Sequence, residues 1–334
     1  MQGQMGATLH TGDLPVPDIL RYAREAEALG YHGFWLTEES GKEAFALLAL
    51  LSQATQRITL ATGIVNFYSR TPTLLAMGAS TIWRLSGGRF LLGLGTGGIG
   101  FMERGHGIAI ERPLARARET VAIVRGLLHE RRFSYDGQWF HIRNFGLREG
   151  PIDGHLPIVL SALNPGMIRV ACQVADGLMS NWPSRESIQE LQATIARECG
   201  KVGRDPGAVR IYTLLMTCPD PDDPAAVAAM RRGIAFYCAT PHYHHIADVT
   251  GLGDQVRRVY EVWQSGDYDA ASALVTDAMC EAFTLTGSRA HCAAHLRWLL
   301  EQGVYPVIYP LFRRDRVLDD HLAAIRLAAS YLQD

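Results

Sequence analysis

The sequence lacks the features of small secreted and membrane-spanning proteins. Among its 334 residues there are six cysteines but no Cys-x-x-Cys pair, and a chain of this length does not need disulfide bonds for stability. No apolar run approaches the about 20 residues that a membrane-spanning helix requires. The N-terminus has no basic stretch followed by an apolar segment, so it does not resemble a signal peptide. These absences predict a reduced, cytoplasmic protein with no membrane partner.

An excess of charge of either sign is also lacking. Lys and Arg total 32 against 34 Asp and Glu, which gives a net charge of −2. Such a chain has no field that would attract nucleic acid, so no nucleic-acid partner is expected. Hydrophobic residues make up 48% and charged residues 20%, as in proteins that bury a core and unlike disordered chains.

What the sequence does contain is a regular alternation of two patterns. Short apolar or β-branched runs are separated by segments with helical spacing and helix start signals, at Pro17, Thr71, Pro113, Asn164 and Ser184. Alternation of this kind predicts parallel strands joined by crossover helices, and eight strands close into an α/β (β/α)8 TIM barrel. An open doubly wound sheet is the alternative. The eight predicted strands are Met5–Leu9, Gly33–Thr37, Ile58–Thr62, Phe90–Gly95, Leu156–Ser161, Gly177–Asn181, Val209–Met216 and Pro306–Leu311.

Two intervals between predicted strands are too long for one helix, and they indicate insertions after strands 4 and 7. The first, residues 131–155, has an Asp136-Gly137 turn between alternating aromatic residues, which is typical of a β-hairpin. The second, residues 219–285, has several helical segments and a His-rich stretch at 241–245. Because no linker rich in Gly, Ser or Pro separates them, residues 1–334 are predicted to form one elaborated domain.

In such a barrel, ligands bind at the carboxyl ends of the strands. At the end of the fourth predicted strand, Gly93, Gly95 and Gly98 match the G-x-G-x-x-G dinucleotide pattern. No helix opens on these glycines, however, and the next start signal is Pro113, so a Rossmann site is disfavoured. A glycine-rich loop still lets a flat ligand approach the backbone closely.

Other chemistry has weaker signals. No Ser or Cys occupies a nucleophile elbow. His291 and His295 have the i, i+4 spacing of zinc ligands but no third ligand is evident, so no metal is predicted. Arg89 and Glu119 are expected to form a structural ion pair, and Arg70 either braces its own loop or meets an anionic cofactor.

Two segments carry a family resemblance. Residues 61–72 (ATGIVNFYSRTP) and 85–97 (LSGGRFLLGLGTG) resemble the bacterial luciferase-like family of flavin- and deazaflavin-dependent oxidoreductases. Weaker matches follow at 112–119, 156–165, 175–177 and 203–205. Within the family, the run from Thr62 to Pro72 is most similar to the branch that uses the deazaflavin coenzyme F420, the branch of methylene-tetrahydromethanopterin reductase. The last third of the chain matches only loosely.

The resemblance implies a tricyclic ring lying across the carboxyl ends of the strands, backed by a non-proline cis peptide that maps to Gly63–Ile64. It also implies that backbone N–H groups of Leu163, Asn164 and Gly166, at a helix N-terminus, hold the cofactor phosphate. The alternative for Asn164-Pro165 is a helix cap alone. The full set of implied cofactor-binding residues is Thr62, Gly63, Ile64, Asn66, Gly95, Thr96, Gly97, Ser161, Leu163, Asn164 and Gly166.

The proton-transfer residues depart from the family pattern. Several deazaflavin relatives have an acidic residue and a histidine after the second strand, where this chain has Glu38 and Glu39; some have a glutamate after the fourth-strand glycines, where Gly98 stands here. Two adjacent carboxylates could act instead, because crowding of like charges favours protonation of one. Neighbours on an extended segment point opposite ways. Glu38 is therefore the favoured catalytic residue, and a structural ion pair is the alternative.

Three hypotheses for the function follow. The first is an oxidoreductase that transfers hydride between F420 and a small organic substrate. The second is an FMN-dependent monooxygenase of the same fold, and the third is a non-catalytic barrel that acts as a subunit or binding protein. The resemblance also implies a homodimer, since relatives pair through helices beside strands 2 and 3, and Ala44–Leu51 is apolar on nearly all sides.

Overall fold

Eight parallel strands form a closed barrel in the structure, a computed structural model that describes residues 4–38, 40–98 and 100–333. The barrel strands are β1 (Gly6–Leu9), β2 (Gly33–Leu36), β3 (Thr59–Thr62), β5 (Phe90–Gly95), β8 (Ile158–Ser161), β9 (Gly177–Asn181), β10 (Arg210–Thr217) and β12 (Val304–Pro310). They pair in this order, and β12 closes the sheet against β1. The predicted TIM barrel is confirmed, which excludes the open sheet and the Rossmann site.

Four short strands accompany the barrel. The added strands are β4 (Val65–Asn66), which pairs with β5; β11 (Thr284–Leu285), which pairs with β10; and β6 (Phe133–Asp136) and β7 (His141–Phe145), which form a separate antiparallel hairpin. The hairpin lies within the interval 131–155, so the Asp-Gly signal marks its position correctly.

Helices begin where the sequence has caps and prolines. The side chains of Thr71, Asn164 and Ser184 each accept a hydrogen bond from a backbone N–H of the first turn, as their positions predict. The helices are α1 (Val16–Ala28), α2 (Ala44–Ala54), α3 (Pro72–Leu85), α4 (Pro113–His129), α5 (Pro165–Val174), α6 (Arg185–Gly200), α7 (Pro224–Cys238), α8 (His244–Val249), α9 (Gly253–Gln264), α10 (Tyr268–Ala273), α11 (Asp277–Phe283), α12 (Arg289–Glu301) and α13 (Val317–Ser330).

Large side chains fill the interior of the barrel. Trp35, Tyr212 and Tyr305 are buried there, with ring centroids 4.9 Å apart for Trp35 and Tyr212 and 5.1 Å apart for the two tyrosines. Apolar residues from five other positions on the strands complete this cluster. Since the interior is packed, the space for a ligand lies at the ends of the strands.

The interval 219–285 forms α7 to α11 and has a hydrophobic core of its own. This core also includes Trp182, Met216 and Tyr309, which lie at or just beyond the carboxyl ends of β9, β10 and β12. The helical insertion is thus anchored at the end of the barrel where ligands bind.

Glu119 on α4 holds the turn of the hairpin. Its buried carboxylate accepts hydrogen bonds from the backbone N–H groups of Gln138, Trp139 and Phe140, at 2.8, 3.0 and 3.1 Å. The expected ion pair with Arg89 is therefore wrong.

Arg89 has backbone partners instead. Its guanidinium donates to the carbonyl oxygens of Ile58, Ser52 and Thr55, at 2.6, 3.2 and 3.1 Å, and so ties α2 to the start of β3. The guanidinium of Arg89 and the carboxylate of Glu119 therefore each hydrogen-bond to backbone groups and not to each other.

Two further findings concern the cysteines and the helices. All six cysteines are buried and have free thiols, with no disulfide bond among them. Within the described residues, every helix is too short or too polar to cross a membrane.

We expect Glu119→Gln to lower the free energy of unfolding by about 1–3 kcal/mol, because the amide offers one acceptor and brings an N–H group against backbone donors. Urea unfolding would measure the loss, and hydrogen exchange should accelerate at the amides of residues 138–140. Glu130→Gln, at an exposed position next to the end of α4, is the matched control. Unchanged protection at residues 138–140 would contradict the assignment.

Candidate active site

The third barrel strand is interrupted at the position the resemblance marked. Strands β3 and β4 both pair with β5, but between the two ladders the β3–β4 segment has one residue more than β5, which makes a bulge. The peptide between Gly63 and Ile64, inside this bulge, is cis. The predicted cis peptide is confirmed.

Thr62 satisfies the backbone groups that the bulge leaves without a ladder partner. Its hydroxyl donates to the carbonyl oxygen of Gly93 at 2.8 Å and accepts from the N–H of the same residue at 2.7 Å. Thr62 is fully buried, so it has no exposed atom for the cofactor contact predicted for it. Its place is to hold the bulge against β5.

The end of β5 leaves room for the bulge. A Cβ on Gly95 would lie 2.9 Å from the side chain of Ile64 and 3.2 Å from Cβ of Ser161, so only glycine permits this approach. Two residues on, Gly97 has a φ of +73°, a conformation that favours glycine. Between them, the hydroxyl of Thr96 donates to the carbonyl oxygen of Gly97 at 3.1 Å.

A cleft of about 360 Å³ opens above the bulge, and we call it the bulge cleft. It is lined by Glu38, Ser40, Ile64, Asn66, Gly97, Gly98 and Phe101. Four of these seven were predicted as site residues. The other three, Ser40, Gly98 and Phe101, were not in the predicted set; Phe101 begins a π-helical turn, Phe101–Gly105, in a stretch without a regular apolar pattern. Glu39, the second predicted catalytic residue, lies outside the described residues.

Asn66 offers a donor to this cleft. Its side-chain oxygen accepts from the backbone N–H groups of Tyr68 and Ser69, at 3.1 and 2.7 Å, which fixes the side chain. The NH₂ group of Asn66 makes no hydrogen bond to the other described residues, so it can donate to a polar ligand edge.

Glu38 forms the ion pair that was the alternative to a catalytic role. Its two carboxylate oxygens accept from the guanidinium of Arg70 at 2.6 and 2.5 Å, and only 10% of the Glu38 side chain and 13% of the Arg70 side chain are exposed. Glu43 contacts the same guanidinium at 2.5 Å. Arg70 therefore braces its loop against the segment after β2, and proton transfer by Glu38 stays a prediction.

The charges in this cluster shift its pKa values. Burial lowers the pKa of Arg70, but hydrogen bonds to Glu38 and its charge, followed by those of Glu43, more than offset burial and raise the pKa above its usual value. Burial raises the pKa of Glu43, but hydrogen bonds from the backbone of Ala46 and from Arg70 outweigh burial, and the net shift is downward.

Three predicted residues lie apart from the bulge cleft, at the N-terminus of α5. Asn164 accepts from the N–H of Met167 at 3.0 Å and therefore caps the helix. The N–H of Gly166 belongs to the first turn, where helices leave backbone donors without internal partners. Leu163 lines a small pocket of about 50 Å³ between α5, α6 and α8. The structure thus divides the predicted set into two groups on neighbouring strands.

The histidine pair on α12 is not part of a recognisable metal centre. Burial lowers the pKa of His295 to about 4, with smaller contributions from His291 and Arg185. Across residues 4–38, 40–98 and 100–333, the structure contains no group of three or more His, Cys, Asp or Glu side chains that could hold a metal ion.

The structure is thus a closed α/β barrel with a bulged third strand, a cis peptide and a cleft, lined in part by glycines, at the carboxyl ends of its strands. The chain belongs to the luciferase-like monooxygenase family, whose model matches residues 1–305. It is an oxidoreductase of this family.

Similar proteins include two curated reductases. The 5,10-methylenetetrahydromethanopterin reductase of Methanolobus tindarius is 30% identical over 300 residues, covering 88% of this chain and 90% of the relative. The reductase of the same name from Archaeoglobus fulgidus is 29% identical over 303 residues, covering 89% and 90%.

Solved structures show the same fold. The coenzyme F420-dependent tetrahydromethanopterin reductase of Methanopyrus kandleri superposes with a TM-score of 0.80 at 20% identity, covering 96% of this chain and 98% of that one. A monooxygenase from Streptomyces bottropensis superposes with a TM-score of 0.71 at 18% identity, covering 99% and 98%.

We expect Arg70→Met to lower the free energy of unfolding by about 1–3 kcal/mol at pH 7, because it leaves two carboxylates together without their cation. The deficit should shrink as the pH falls, since Glu43, with its lowered pKa, stabilises the wild type above that pKa and loses this contribution as it is protonated. Urea unfolding at several pH values measures the loss of stability at pH 7 and its dependence on pH.

The control for this comparison is Arg326→Met, which removes a more exposed pair with Glu25 and should cost less than about 1 kcal/mol. A deficit in Arg70→Met that grows on acidification would contradict the assigned role of Arg70.

Proposed function

We propose that this protein transfers hydride between coenzyme F420 and a small organic substrate. The observation that carries the proposal is the bulge cleft, which is lined by Ile64 of the cis peptide and by Gly97 and Gly98. The relatives named as methylenetetrahydromethanopterin reductases, and the F420-dependent reductase of the same fold, support F420 as the cofactor.

The residues of the bulge cleft suit a flat, polar-edged ring. Ile64 supplies an apolar surface, and Gly97 and Gly98 contribute lining without side chains. The NH₂ group of Asn66 can donate to a carbonyl or ring nitrogen at the edge. The ring would supply hydride transfer when bound, and the protein would supply orientation and exclusion of water.

The N-terminus of α5 suits the phosphate of the cofactor. The N–H of Gly166 is free of helical partners, and the positive end of the helix dipole favours an anion. Asn164 caps the same turn, so its side chain serves the helix while the neighbouring backbone N–H groups serve the phosphate.

Two alternatives are kept because specific findings favour them. An FMN-dependent monooxygenase is favoured by the structural likeness to a monooxygenase of the same fold. The hydrogen bonds between Glu38 and Arg70, and Gly98 at a position where some relatives have a glutamate, are what a member of this oxidoreductase family that had lost catalysis would show.

Titration of the purified protein with F420 and with FMN, followed by cofactor fluorescence, distinguishes the F420-dependent oxidoreductase, the FMN-dependent monooxygenase and the non-catalytic barrel. Tight binding of F420 alone supports the proposal. Tight binding of FMN alone supports the monooxygenase, and a folded protein that binds neither supports the non-catalytic barrel.

We expect Gly95→Ala to weaken F420 binding by about tenfold or more, because the added methyl would displace Ile64 into the cleft. Gly200→Ala, at a helical glycine with open space around it, is the matched control and should bind normally. Equal affinity in both variants would remove the bulge cleft as the ring site.

We further propose a homodimer formed through α2 and α3, which pack side by side at the surface. Leu50, Leu74 and Met77 are large apolar side chains left exposed on these two helices, and such a patch favours a covering partner.

Light scattering should therefore give about twice the chain mass of 36.8 kDa for the wild type. The double variant Leu74→Lys, Met77→Lys should give the monomer mass, because two charges would be buried without partners. Leu274→Lys, at an exposed apolar residue beyond α10, should remain dimeric. A monomeric wild type would refute the proposal.

A further inference from the structure

A second and larger cleft, of about 980 Å³, lies between the helical insertion and the segment that follows β12. We call it the arginine-aromatic cleft after its side chains. They come from α7, α9 and α10 on one side, and from residues 309–314 on the other. None of its lining residues belongs to the bulge cleft.

One wall of this cleft is a continuous run of aromatic rings. From Tyr237 the run passes to Phe236, Trp263 and Tyr268, with centroid distances of 5.6, 6.1 and 4.6 Å between successive rings. Phe236 is 58% exposed and Tyr268 is 46% exposed, among the most exposed large apolar side chains of the described chain. Aromatic faces left open in a concave site favour stacking of a planar, apolar ligand group.

Four arginines and Asp269 are the charged residues that line the cleft. Arg231 is paired with Asp277, Arg232 with Asp269, and Arg313 with both Asp223 and Asp320. The fourth, Arg314, is exposed and makes no ion pair or hydrogen bond with the other described residues.

This arrangement leaves one guanidinium available to a ligand. The neighbouring Arg313 is fixed by its two carboxylates, so the backbone that presents Arg314 is held in place. A guanidinium binds carboxylate and phosphate groups with paired hydrogen bonds, which a neutral group does not match.

The cleft reaches the ligand-binding end of the barrel. His10 follows β1 and Tyr309 lies near the end of β12; both line the cleft, and their ring centroids are 4.8 Å apart. Strand β2 pairs with β1, and Glu38 of the bulge cleft follows β2 by two residues. The two clefts therefore open from neighbouring strand ends of the same barrel.

We propose that the arginine-aromatic cleft binds the organic substrate, and that this substrate is a planar aromatic anion. Its ring stacks on the run from Phe236 to Tyr268, and its anionic group pairs with Arg314. The proposal rests on the proposed function for the identity of the cleft as a substrate site. It adds the chemical class of the substrate, which neither the fold nor the bulge cleft defines.

Calorimetric titration of the full-length protein tests this, with and without saturating F420. The probes are 2-naphthoate, the neutral 2-naphthamide and the non-aromatic cyclohexanecarboxylate. We expect naphthoate to bind at least about tenfold more tightly than either of the others. Equal affinity for naphthoate and naphthamide, or no binding of naphthoate to a protein that binds F420, would overturn the substrate class.

Variants locate the binding. Arg314→Gln should weaken naphthoate about tenfold without affecting naphthamide, and Trp263→Ala should weaken both. Arg316→Gln is the matched control, since Arg316 is exposed nearby and does not line the cleft. Naphthoate binding that Arg314→Gln leaves unchanged would overturn the site.

The cofactor titration separates this proposal from the function it rests on. If Arg314→Gln weakens F420 rather than naphthoate, the cleft belongs to the cofactor and the inference is wrong. If the wild type binds naphthoate through Arg314 but does not bind F420, the cleft stands as an anion site and the proposed function fails.

Discussion

The geometry of the site depends on the hydroxyl of Thr62, which donates to and accepts from the same residue, Gly93. Side chains along a strand alternate between its two faces, so an extra residue reverses the direction of every side chain that follows. The Thr62 hydroxyl replaces the missing backbone partners and lets β5 continue while β3 gives way to β4. As a result, Ile64 lies over Gly95 and Asn66 lines the cleft.

The bulge cleft and the arginine-aromatic cleft are formed by different parts of the chain. The residues around the bulge cleft lie on barrel strands or on the segments that directly follow them. The packed interior of the barrel, with Trp35, Tyr212 and Tyr305, supports these strands. The arginine-aromatic cleft is shaped by an insertion with a hydrophobic core of its own. Changes in the insertion can therefore reshape the arginine-aromatic cleft without disturbing the bulge cleft.

The sequence predicted those features that short segments determine. The strands, the caps at Thr71, Asn164 and Ser184, and the Asp-Gly hairpin depend on neighbouring residues, and the cis peptide at Gly63–Ile64 followed from a family resemblance in one segment. The ion pair expected between Arg89 and Glu119 does not form, because each of these side chains hydrogen-bonds to backbone groups instead. A pattern of side chains in the sequence does not reveal such partners. The cleft that Arg314 and Trp263 both line also depends on packing between distant segments of the chain.

Closure of the sheet has a consequence for biosynthesis. The last barrel strand pairs with β10 over seven positions and also with β1, the first strand of the chain. Until residue 310 has left the ribosome, β1 and β10 both present backbone groups without a neighbour, and such edges can join those of other nascent chains. The edge of β1 therefore stays uncovered until β12 has been synthesised, and over that interval it is open to strand pairing with other chains.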